Sequence, residues 1–258
     1  MHASIVRDPC ARVGPTYIVG SMKSLHIDIW SDIACPWCYV GKRRLEAALE
    51  RFAHRDEVEV RWRAFELDPS APPVRDASVS YAQRIAVKYG MGVDKAQSMI
   101  DGMKETAAKD GLDFHFEKAQ SGNTFDAHRL VHFATDRNKG DEAKERLFRA
   151  YMTEGQAVGR RDVLVRLAGE IGLPENEVAA MLASDALTEG VRADEARAQQ
   201  LGIRGVPFFV VGTGAGRPYG VSGAQPADEL LSVLERAWSE LPEEAANDGA
   251  VCGTEGCA

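Results

Sequence analysis

Two cysteines separated by two residues, Cys35-Pro36-Trp37-Cys38, are the residues in this chain whose type and spacing most directly imply chemistry. One helical turn brings such a pair within reach of a disulfide of ordinary geometry. The unpaired N–H groups and the dipole of the first turn favour a thiolate on the leading cysteine, so Cys35, its sulfur turned to solvent, is the expected nucleophile. Cys38, one turn further in, is the expected resolving thiol, attacking the mixed disulfide and releasing the reduced partner. The competing reading of one Cys-x-x-Cys is half a zinc site, but zinc takes four ligands and the body of the chain offers no second close Cys or His pair at finger-like spacing. His128 and His132 stand four apart, as a surface or satisfied core pair does, and no metal site is expected. No histidine lies between the cysteines to add positive charge. A potential between the isomerase and thioredoxin types, about −180 to −270 mV, is expected in place of a strongly oxidising one.

The elements that must position this pair are legible on both sides of it. Leu25-His26-Ile27-Asp28-Ile29-Trp30 alternates as a half-buried strand. From Pro36 through Tyr39, Leu45, Ala48, Leu49 and Phe52 apolar residues recur at roughly helical spacing, with Pro36 suited to the first turn. Val58 to Phe65 alternates again, giving strand, helix, strand at the length of a βαβ unit. After Asp68-Pro69 and Pro72-Pro73 the composition turns helical from about 78 to 190, broken at Tyr89-Gly90, Asp110-Gly111, Gly122-Asn123, Lys139-Gly140 and Gly172-Leu173-Pro174. Phe114 to Phe116 is the one short strand-like interruption expected there, and 183–201 is expected as a returning helix. Val206 to Val211 restores strand character, Arg217 to Ser222 supplies the second arm of a hairpin, and Pro226 to Trp238 is amphipathic, with Leu230, Leu231, Leu234 and Trp238 on one face.

The chain of 258 residues, 45% hydrophobic and 27% charged, has the composition of a globular protein able to bury a sizeable core. Its net charge of −8 argues against nucleic acid or an anionic membrane as partner. No apolar run approaches the roughly 20 residues of a bilayer span. The first two dozen residues contain Arg7, Asp8, Pro9, Gly14 and Pro15 where a secretory signal keeps a continuous apolar segment. A cytoplasmic protein is therefore expected. There, transient catalytic disulfides explain five cysteines better than a structural framework does, and Cys10 is read as incidental.

Several separated motifs agree on one family. Ser31-Asp32-Ile33-Ala34-Cys35-Pro36-Trp37-Cys38-Tyr39-Val40-Gly41, the segment Asn123-Thr124-Phe125-Asp126-Ala127-His128-Arg129-Leu130 and the late Gly205-Val206-Pro207-Phe208-Phe209 together resemble the DsbA-like thioredoxin superfamily, and most closely its FrnE branch. The resemblance covers about residues 25–240. It implies an α/β thioredoxin fold interrupted by an all-helical insertion domain. The expected organisation is a leader at 1–24, the two halves of the thioredoxin domain at 25–70 and 191–240, the insertion at 71–190 and a C-terminal tail at 241–258. It also implies disulfide oxidoreductase or isomerase activity on protein substrates, a cis Val206–Pro207 bond, and backbone groups of Val206 offered to an extended substrate. Trp37, Asn123 and His128 are possible auxiliary residues. For the last two, a helix cap and a domain-interface hydrogen bond are structural readings of at least equal weight.

Relatives in the same superfamily, the kappa glutathione transferases and 2-hydroxychromene-2-carboxylate isomerases, typically carry serine where this chain has Cys35. Retention of both thiols favours disulfide exchange. Glutathione-assisted isomerisation of a small molecule and a redox-sensing chaperone or adaptor stand as alternatives. No cofactor is expected beyond the redox-active disulfides, with glutathione left open. The expected partners are proteins bearing disulfides or thiols and a reducing system of unspecified identity, in a role suited to oxidative-stress repair. The tail adds Cys252 and Cys257, which four residues with two glycines separate. They are expected as a second redox pair, relaying dithiol exchange to Cys35 and Cys38, with a soft-metal clip or an inert end as competitors.

Overall fold

A computed structural model describes residues 24–213 and 217–242. Strand β1 (Leu25–Ser31) lies at the centre of a four-stranded sheet of order β2-β1-β3-β4. It runs parallel to β2 (Val58–Ala64) in continuous register from Leu25 opposite Val58 to Ser31 opposite Ala64. On its other side it is antiparallel to β3 (Phe208–Thr213), which pairs in turn with β4 (Tyr219–Ser222). The alternation read in the sequence sorts residues between two cores. Leu25, Ile27 and Ile29 of β1 with Phe209 and Val211 of β3 enter the larger one, while Trp30 and Val210 enter a smaller cluster on the other face with Ala198 and Ile203.

Helix α1 (Pro36–Arg51) follows β1 and buries Tyr39, Val40, Leu45 and Ala48. It packs against the C-terminal helix α9 (Ala227–Ser239), which also lies on β3. Leu230 and Leu234 of α9 are buried; Leu231 and Trp238 are half-buried, and the Trp238 indole stacks on His54 at 4.2 Å.

Between β2 and β3 the chain makes α2 (Tyr81–Tyr89), α3 (Val93–Lys109), α4 (Phe125–Thr135), α5 (Gly140–Met152), α6 (Arg161–Glu170), α7 (Glu175–Ala183) and α8 (Thr188–Gln200). The start of α2 is fixed by a reciprocal cap, Ser80 accepting from the Gln83 N–H while the Gln83 side chain accepts from the Ser80 N–H. Its end is fixed by Gly90, in the left-handed region at φ 62°. Helices α2 and α3 pack against each other, α5 reaches both β2 and α1, and α8 lies against β2. Asp194 of α8 accepts the N–H of Ala64 at 2.9 Å and pairs with Arg63, occupying backbone that an edge strand otherwise exposes.

Two expectations fail locally. Phe114 to Phe116 is not a strand: His115 N–H donates to the Met152 carbonyl at 2.7 Å, and the flanking rings pack on Tyr39 and Tyr81 instead of a ladder. The stretch 183–201 is not one helix either, because Leu187 takes φ 63° and separates α7 from α8.

Candidate active site

Cys35 is the N-cap of α1, in extended conformation, with Pro36 at the first helical position. Its N–H donates to the Asp32 carbonyl at 3.1 Å, and its own carbonyl accepts the Cys38 N–H at 3.0 Å, so the turn holding both thiols is closed by backbone bonds. Both cysteines are free thiols. The expected solvent-facing Cys35 requires correction: it is 5% exposed, and Cys38 is 1% exposed. The reason lies far along the chain, where the Val206 carbonyl accepts from the Cys35 sulfur at 3.5 Å. Burial, then the neighbouring Cys35 thiol, hold the Cys38 thiol well above its ordinary range.

Val206 and Pro207 precede β3 and are joined by a cis peptide bond. The Pro207 carbonyl accepts the Gly223 N–H at 2.9 Å, which ties this loop to the end of β4. Gly41 of α1 makes the approach possible: a Cβ there would lie 3.0 Å from Pro207 Cγ and 3.3 Å from Phe209 Cζ. The glycine closing the N-terminal motif thus lets the cysteine helix and the proline loop meet.

Beside Cys35 opens a cavity of about 390 Å³. Cys35, Pro36, Trp37 and Leu67 form one wall; Tyr81 and Ile85 of α2, Met99, Ile100 and Met103 of α3, and Phe116 form the others. Trp37 is 45% exposed at this site, and Tyr89, Met99 and Leu67 are also exposed large apolar residues of the lining. Among the described residues, Lys88 is the one charged side chain in the lining.

The polar groups behind the pair come from three parts of the chain. Asp32 Oδ1 accepts from Ala34 N–H at 3.2 Å and Oδ2 from Leu67 N–H at 2.7 Å, joining the cysteine turn to the segment after β2. His128 Nε2 of α4 faces Oδ1 at 3.6 Å. Burial opposes the Asp32 charge, but His128, the Leu67 N–H and Thr124 outweigh it and hold the carboxyl below the usual range. Burial dominates for His128 and lowers its affinity for a proton. Asn123 accepts the Phe125 N–H at 2.8 Å at the start of α4 and donates to Glu66 and to the Pro69 carbonyl. Neither Asn123 nor His128 lines the cavity.

Sequence reasoning missed Lys144. It is fully buried on α5, and its Nζ donates to the Ser31 carbonyl at 3.5 Å. Its signal was present: Gly140, Ala143, Leu147, Phe148 and Tyr151 make an apolar face at helical spacing, and Lys144 interrupts it. Cys252 and Cys257, and Cys10, lie outside the described residues.

A thioredoxin-type sheet with a Cys-x-x-Cys pair opening its first helix against a cis-proline defines a thiol–disulfide oxidoreductase. The family model of the DSBA-like thioredoxin domain matches residues 26–235. The probable DsbA oxidoreductase SCO1869 from Streptomyces coelicolor is 42% identical, with a TM-score of 0.78 over 91% of this chain and 98% of that one. The uncharacterized protein YwbO of Bacillus subtilis (strain 168) is 32% identical over 195 residues, 73% of this chain and 88% of that protein. The cytosolic disulfide reductase DsbM from Pseudomonas aeruginosa shares the fold at 17% identity, with a TM-score of 0.55 over 83% of this chain and 95% of its own. The chain belongs to the DSBA-like thioredoxin domain family.

Proposed function

We propose that this oxidoreductase reduces or isomerises disulfides of protein substrates in the reducing cytoplasm, with Cys35 as nucleophile and Cys38 as resolving thiol. The observation that carries the reading is the Cys35 sulfur held between the Val206 carbonyl and the wall of an apolar cavity. An extended segment laid along Val206 places its own disulfide against Cys35, and the apolar side chain beside that disulfide enters the cavity. Cys35 thiolate attacks one substrate sulfur, the substrate S–S bond breaks, and the other substrate sulfur leaves as a thiolate. Cys38 then attacks Cys35, closing the Cys35–Cys38 disulfide and freeing the second substrate sulfur. An external dithiol returns the pair to the reduced state. When a different substrate thiol attacks the mixed disulfide first, the result is isomerisation.

The lining favours apolar protein segments over glutathione, whose two carboxylates find one cation, Lys88. Asn123 and His128 are engaged in holding α4 to the segments after β1 and β2, which supports their structural reading. The test is covalent trapping. Cys38→Ala, incubated with a disulfide-bonded protein, accumulates a mixed disulfide on Cys35 that intact-mass measurement detects; Cys35→Ala accumulates none. Absence of the adduct in Cys38→Ala contradicts the assignment.

A further inference from the structure

Gly102 stands midway along α3, on the lining of the cavity beside Cys35. A glycine inside a helix destabilises it relative to alanine, because more backbone freedom is lost on folding. The structural reasons that usually call for glycine are absent at this position. Its backbone is outside the left-handed region, and a Cβ built on it meets nothing within 4 Å. Gly41 is the contrast, since a Cβ there would lie 3.0 Å from Pro207 Cγ and the protein's own packing requires the glycine. At Gly102 the space a side chain would take is left open, on the same wall as Met99, Ile100 and Met103.

The hydrogen-bonding groups of the lining are one-sided. Tyr81, the first residue of α2, stacks on Phe116 at 4.8 Å, and its O–H has no partner among the described residues. By contrast, the O–H of Tyr39 donates to Glu145 at 2.6 Å and that of Tyr151 meets Ser121 at 3.0 Å. The Gly102 carbonyl is already occupied by the Thr106 hydroxyl, which donates to it at 2.8 Å. The side chains of the lining therefore offer the donors of Tyr81 and Lys88 and, among the described residues, no carboxylate. A complementary ligand brings apolar surface and hydrogen-bond acceptors. A polypeptide has both, and its backbone is slender enough to lie against a helix where a side chain is missing.

We propose that Gly102 and Tyr81 form a backbone subsite that selects the substrate: an extended polypeptide segment crosses α3 at Gly102, one of its carbonyls accepts from the Tyr81 O–H, and the neighbouring apolar side chain fills the cavity. This subsite rests on the disulfide-exchange reading above and names the class of substrate it acts on. That class is the disulfide of a locally unfolded chain, because only a segment free of its own fold lies along Val206 and α3 together.

The test compares turnover, with dithiothreitol as reductant, of two disulfides. One is an unstructured Gly/Ser-rich peptide whose two disulfide-bonded cysteines each have a phenylalanine beside them; the other is bis(2-hydroxyethyl) disulfide, which has no chain to lay on α3. Gly102→Leu is expected to raise KM for the peptide about tenfold or more relative to KM for the small disulfide, with kcat for the peptide retained. Tyr81→Phe, which keeps the ring and loses the donor, is expected to raise the same ratio about three- to tenfold. Gly102→Leu and Gly102→Ala are also expected to raise the urea midpoint of the free protein. A more stable protein that binds its substrate more weakly is an outcome a merely structural glycine does not give. In the wild type, an exposed disulfide of a rigidly folded protein is expected to react about tenfold more slowly than the peptide, and equal rates overturn the assigned class. A wild-type KM ratio in both Gly102→Leu and Tyr81→Phe overturns the subsite and leaves the exchange reading intact. A wild type that turns over neither disulfide overturns both.

Discussion

The chemistry of this protein turns on how one sulfur is held. The sequence shows the cysteine pair, its order along the helix and the proline that begins it. Burial of Cys35 was not legible, because its partner Val206 is 171 residues away and no local pattern encodes that distance. Gly41 connects the two, and Gly41→Val is expected to push the proline loop off α1. Overpacking of this kind costs about 1–3 kcal/mol, seen as a lower urea midpoint, and here it also lowers the exchange rate. Lys144 gives a pH-dependent prediction. Burial lowers its proton affinity from the ordinary 10.5 to about 8, so below pH 8 folded and unfolded chains both carry the proton and the full cost of burying the charge is present. Between those values the unfolded chain binds more proton, and stability rises with pH. Lys144→Met is therefore expected to stabilise the protein at pH 7 by up to about 3 kcal/mol, with the advantage shrinking by pH 10. Urea unfolding of both proteins at the two pH values checks this; a pH-independent difference contradicts it.

At the scale of elements, period and punctuation carried most of the reading. The alternation of Leu25 to Trp30 decided which of its residues enter which core, the continuous apolar run Phe208 to Val211 marked a strand without saying which face each residue takes, and Pro226 marked the entry to α9. The pattern failed where tertiary contacts decide. Phe114 and Phe116 look like strand residues because they are aromatic and alternate, yet their rings are claimed by Tyr39 and Tyr81 and no strand among the described residues pairs with them. Helical composition across 183–201 concealed the turn at Leu187, which places Asp194 over the edge of β2. Asp194→Ala removes the acceptor of the Ala64 N–H and the partner of Arg63 and His132. A loss of about 1.5–3 kcal/mol is expected, measured as a lower urea midpoint, with the cysteine chemistry retained.

At the scale of the whole molecule, the insertion between β2 and β3 supplies what the thioredoxin-type halves lack. Helices α2 and α3 build the far wall of the cavity, α4 brings His128 to Asp32, and α5 carries Lys144. Composition announced that these helices exist, but not which of them faces the cysteines, since that depends on how the helices stack on one another. The apolar cavity predicts a preference among substrates. Met99→Glu places a charge at its lining and is expected to raise KM for a protein disulfide several-fold, while exchange with a small uncharged disulfide is unchanged. Equal effects on both substrates would remove the cavity from substrate binding.

Reduction of insulin disulfides by dithiothreitol, followed as a rate for the wild type and for Cys35→Ala, tests the central claim most directly. Acceleration by the wild type that disappears in Cys35→Ala is the predicted result. A wild type that gives no acceleration, or a Cys35→Ala protein that accelerates equally, contradicts it.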